Sequence, residues 1–182
     1  MMRFGSLRTG LVALLAVAIC TACGSSGASK ISAGTYVASV CSAISPLEKD
    51  VVTRSSALNG ATAANATEAK KALQGFLTAV ESDSDHALTK IQAAGTPDIS
   101  NGKNVAGTIV KAFTQLRDAM RVALTKSESL PTDSPSAFRT AAQALGASVK
   151  SALNNIDSSG FSNPEIEKAA GAQPACKSLS NG

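Results

Sequence analysis

The chain of 182 residues contains no tryptophan, one tyrosine, five phenylalanines and one histidine. A core with so few aromatic rings must be filled by Ala, Leu, Val and a few Phe, which favours close-packed helices. No stretch alternates apolar and polar residues long enough to argue for a sheet. No block of Lys or Arg occurs, so the chain carries no electrostatic footprint for nucleic acid. There is no Gly-rich phosphate loop, no Gly-x-Ser-x-Gly elbow and no His-Glu-x-x-His. A metal site built on several histidines is excluded, and any imidazole base would be His86 alone, which sits beside Asp85 on a polar, solvent-facing stretch. The acidic run Glu81, Asp83, Asp85 lacks the turn glycine and the later glutamate of a calcium loop, and reads as a solvated face. Glu48 and Asp50 fall on different faces of a helix and do not form an acid–base pair. Tyr36 and His86 are the only candidate axial ligands for a haem, but Tyr36 is better explained as a rim or core aromatic. The expectation is therefore a protein that is not an enzyme and needs no cofactor or metal.

Long apolar runs are also scarce. One of them, Leu11–Cys23, follows Arg3 and Arg8 and leads into Gly-Ser-Ser-Gly. That is the layout of a secretory signal peptide, and the run is short for a membrane span. Its end, Cys20-Thr21-Ala22-Cys23, resembles the lipobox of bacterial lipoproteins, in which signal peptidase II cleaves before a cysteine that takes lipid. The first position departs from that pattern, since Cys20 stands where Leu, Val or Ile is usual. The resemblance implies acyl (palmitate) attachment at Cys23 and a place on the extracytoplasmic face of the cell membrane. A competing site of the ordinary secretory type, Ala16-Val17-Ala18, would instead release a soluble protein.

Cleavage before Cys23 divides the chain into a signal peptide over 1–22, a lipid-attached tether over 23–34 and one helical domain over 35–182. It removes Arg3 and Arg8, leaving 15 basic residues against 13 acidic ones, so the precursor's net charge of +4 falls to +2. Of the four cysteines, Cys41 and Cys176 then remain. In an oxidising compartment they are expected to pair, tying the chain end to the first helix. Neither has a Cys or His nearby in sequence with which to bind metal.

Periodicity predicts a first helix over Thr35–Leu58, kinked or divided at Pro46 and stopped by Asn59-Gly60. A second, Ala66–Ala94, starts at an Asn65 cap, with Glu68 three residues on. The run 81–85 is expected to fray or bend its middle. A third spans Lys103–Ser127. A fourth, Pro135–Asp157, opens with Ser134 and Pro135 and presents Phe138, Ala142, Leu145, Val149, Leu153 and Ile156. A short helix, Pro164–Ala170, is capped by Asn163. The fold expected is all-α, an antiparallel four-helix bundle with a short C-terminal helix and a disulfide-tied tail.

Three features resemble small secreted lipoproteins of actinobacteria. They are Tyr36-Val37-Ala38-Ser39-Val40-Cys41, the turn Gly95-Thr96-Pro97…Asn101-Gly102, and the late Cys176. The resemblance implies an architecture and an address and brings no activity. The functional expectation is a lipid-anchored, non-enzymatic envelope protein that binds a partner or envelope component. The alternative is a carrier that holds an apolar small molecule or lipid between its helices.

Overall fold

The computed structural model describes residues 30–61, 65–177 and 179. The protein is a bundle of helices: α1 (Ala33–Ala61), α2 (Ala66–Ala93), α3 (Gly102–Ser127) and α4 (Pro135–Asn154), followed by the short α5 (Pro164–Ala172) and α6 (Pro174–Lys177). Two dipeptides, β1 (Lys30–Ile31) and β2 (Thr96–Pro97), pair in parallel. α2 lies at the centre, packed on α1 and α3, while α4 packs on α3 and touches α2. α5 and α6 cover α1, and the Cys41–Cys176 disulfide fastens them there, with the two Cα atoms 5.1 Å apart.

The helix starts follow their capping chemistry. Asn65 Oδ1 accepts the Glu68 backbone N–H at 2.8 Å, Ser134 Oγ accepts that of Ala137 at 3.1 Å, and Asn163 Oδ1 accepts that of Glu165 at 2.9 Å. At the other end of α3, Lys70 Nζ reaches from α2 to donate to the carbonyls of Glu128 and Leu130, at 2.7 and 3.0 Å. The Glu128 carbonyl, at the C-cap, is among the groups a helix end leaves without partners, and that of Leu130 belongs to the turn that follows.

Several expectations are corrected. α1 runs unbroken across Pro46 and continues through Asn59-Gly60 to Ala61. The middle of α2 does not fray: the helix is continuous from Ala66 to Ala93, with Ser84 buried and its hydroxyl donating to the Val80 carbonyl at 2.6 Å. α4 ends three residues early, at Asn154, and Leu153 is exposed. The expected tether does not reach residue 34, since Lys30–Ile31 form β1 and Ala33 and Gly34 open α1. The leader, Cys20, Cys23 and the rest of that tether lie outside the described residues.

The β pair and the turn after α2 form one junction. Gly95 and Asn101 both adopt positive φ (84° and 57°), and the Asp98 N–H donates to the Ile31 carbonyl at 2.7 Å. A Cβ on Gly102 would lie 2.0 Å from the Pro97 carbonyl oxygen, so only glycine can start α3 this close to β2. The α4–α5 connection is pressed onto α3 in the same way. A Cβ on Gly160 would lie 2.9 Å from Ile109 Cγ1, and Phe161 meets Phe113 edge to face at 6.4 Å.

Candidate functional site

α4 is the most weakly seated of the long helices. Of its apolar face only Phe138 and Leu145 are buried, because its neighbours across the bundle are α3 and one edge of α2, and α1 stands off. The gap between α1 and α4 is an apolar groove of about 510 Å³. Leu58 of α1, Ala66, Ala69 and Leu73 of α2, and Phe138 and Ala142 of α4 form its walls. Its rim carries Asn65, Arg139 and Gln143, and among the described residues no carboxylate lines it. The small residues make the space: Ala66 and Ala69 on α2 and Ala142 and Gly146 on α4 leave unfilled volume where larger side chains would have closed the bundle. The groove is of the size and composition of small-molecule sites.

Two smaller clefts accompany it. One of about 390 Å³ follows the other flank of α4, between Ala119, Val122 and Ala123 of α3 and Leu145 and Val149 of α4, with Asp118 and Lys126 at its edge. The other, about 290 Å³, lies between α1 and α2 at Pro46, Asp83 and His86.

The acidic run on α2 is split among different neighbours. Glu81 bonds Arg121 at 2.7 Å, and Asp85 bonds Arg117 at 3.2 Å, both across to α3. Asp83 turns the other way, towards Asp50 and Arg54 of α1, with Oδ2 buried and unpartnered. Burial first, and then the Asp50 charge, push the Asp83 carboxyl above its ordinary range. Asp50 is held below that range mainly by its hydrogen bond from Arg54, at 2.9 Å. Among the described residues no group of three or more His, Cys, Asp or Glu could hold a metal ion. The Asp50–Asp83 approach was invisible in the sequence, where the two are 33 positions apart and nothing sets the rotation of α1 against α2.

Tyr36 and His86 are not brought together. Tyr36 is wholly buried in the first turns of α1, its hydroxyl lacks a partner, and burial pushes its pKa up to about 12. His86 is exposed on α2, beside Pro46 in the small cleft and ten α1 residues, about 15 Å, from the level of Tyr36. The pair offers no shared axial site. The groove residues carry no reactive constellation and were not singled out as a site in the sequence. Phe138 and Ala142 were expected on the apolar face of the fourth helix.

Set against known protein families, curated proteins and solved structures, the chain matches none of them.

Proposed function

We propose that the protein is a lipid-anchored, non-enzymatic module of the cell envelope that binds an envelope component in the groove between α1, α2 and α4. The observation that supports this reading is the groove itself: apolar walls, a polar rim and about 510 Å³ of space. The Cys41–Cys176 bridge agrees with an oxidising compartment. No described helix is long and apolar enough to cross a membrane, so attachment in this reading depends on lipid at Cys23.

The reading has a geometric consequence. Six residues, 24–29, separate Cys23 from β1, a reach of roughly 25 Å at most. β1 sits at the α2–α3 junction, whereas the groove begins at the opposite end of α2, with Leu73 about 30 Å of helix before Ala93. Anchored at Cys23, the bundle would hold its groove away from the bilayer, facing what lies beyond it.

Two measurements test the proposal. Cys23→Ser should move the protein from the membrane fraction into the medium or leave it as uncleaved precursor; mature, membrane-bound Cys23→Ser protein would refute the anchor. Protein purified from its native envelope should carry a co-purifying compound that mass spectrometry detects and that Gly146→Leu, which fills the groove, removes. Equal retention by both proteins would refute the groove as the binding site.

A further inference from the structure

The charges around the groove select among ligands. Four arginines lie among the described residues, and three of them are held in ion pairs: Arg54 with Asp50, Arg117 with Asp85 and Asp118, and Arg121 with Glu81. The fourth, Arg139, has no carboxylate partner among the described residues, and it stands on the rim of the groove. Of the other two polar residues there, Asn65 has its side-chain oxygen committed to capping α2. Gln143 adds a neutral amide. The site is thus an apolar trough with one uncommitted guanidinium at its edge and, among the described residues, no negative charge along it.

We infer that the occupant is a single-chain fatty acid, its hydrocarbon tail lying along Leu58, Leu73 and Ala142, groove residues that keep free surface, and its carboxylate accepting hydrogen bonds from Arg139. The inference rests on the groove being the binding site. It names the ligand class from charge complementarity: a guanidinium fork matches a carboxylate in geometry as well as sign. The trough has the volume of a site for one small ligand, so it takes one chain and not a pair. A cationic amphiphile would meet Arg139 with like charge. A neutral one would bury the same tail and leave the guanidinium without its anion.

The test uses residues 23–182 with Cys23→Ser and the disulfide oxidised, a chain that contains every described element. The probes are cis-parinaric acid, whose fluorescence rises in an apolar site, its methyl ester, and a long-chain alkylamine as competitor. The expected result is saturable binding of the acid, weaker binding of the ester and no displacement by the amine. Arg139→Gln should weaken the acid by about tenfold, the order expected for a charge-assisted hydrogen bond at a partly exposed site, and leave the ester unchanged. Arg139→Lys should recover part of that loss. Gly146→Leu, where a Cβ meets no atom within 4 Å, should weaken acid and ester together while keeping the helical melt. Acid and ester bound equally, or Arg139→Gln without effect, would overturn the fatty-acid inference and leave the groove standing. Binding indifferent to Gly146→Leu, or no saturable binding of any probe, would overturn the groove as well.

Discussion

Breaking the Cys41–Cys176 bridge should cost the protein a large part of its stability, and the structure sets the size. The bridge spans 135 residues, so it closes nearly the whole folded chain into one loop. Chain entropy puts the constraint on the unfolded state at about 5 kcal/mol for a loop of that length. What the bridge holds is weakly attached: α5 contributes one buried side chain, Ile166, and α6 contributes none. Without the bridge, two responses compete. If α5 and α6 stay docked, the native state is unchanged and the full loss of about 5 kcal/mol is seen, which for a domain of this size is a fall in Tm of roughly 10–20 °C. If they fray, the native state recovers tail entropy, the loss is smaller, and amides of 164–177 exchange freely. Calorimetry on the oxidised protein and on the Cys41→Ala/Cys176→Ala variant, with hydrogen exchange on both, separates the two. A Tm within about 3 °C of the oxidised protein, with α5 amides still protected, would refute the reasoning.

Three further outcomes are expected. Tyr36→Phe deletes a buried hydroxyl that has no partner, so it should be neutral or stabilise by about 1 kcal/mol in urea unfolding; a loss of more than 1 kcal/mol would mean that the hydroxyl is satisfied. Because the Asp83 carboxyl is raised in the folded state, the fold binds its proton more tightly than the unfolded chain does. Its contribution therefore rises as pH falls towards and through its folded pKa and is a penalty at neutral pH, the reverse of the usual carboxylate. Asp83→Asn should accordingly raise Tm at pH 7, with the gain narrowing as pH falls towards and through the folded pKa; a lower Tm at pH 7 would contradict this. Gly102→Ala drives a methyl onto the Pro97 carbonyl and should cost about 2–4 kcal/mol, whereas Gly107→Ala, facing open space on the same helix, should be neutral or stabilising.

The helices were legible because their signals are local. Asn65, Ser134-Pro135 and Asn163 act on backbone groups within three residues, so the starts of α2, α4 and α5 could be read from spacing alone. The pairing of Cys41 with Cys176 was legible for a different reason: with Cys20 expected to leave with the leader and Cys23 to take lipid, no other partner remained. Local signals failed where packing outweighed them. Pro46 was expected to kink or divide the first helix and Asn59-Gly60 to stop it, yet α1 is undivided at Pro46 and runs through Asn59-Gly60. Its inner face, from Tyr36 through Val40 to Leu47, is buried against its neighbours, and that burial exceeds the cost of one lost hydrogen bond. Ile156 and Leu153 continued the apolar period of α4, but period says nothing of whether a partner helix stands opposite. Leu153 is exposed and Ile156 only half-buried, and the helix ends at Asn154.

By itself the sequence determined the helical class, the caps, the disulfide partners and the absence of any reactive motif, since each depends on residue type and short spacing. Only the tertiary structure decided the rest. The short β1–β2 pair required two segments 66 residues apart to meet. The standing-off of α4 from α1 and the isolation of Arg139 depend on how helices are rotated and spaced. An alanine reads the same in a sequence whether its neighbour fills the space beside it or leaves a groove, because packing volume is a property of pairs of elements and not of either one.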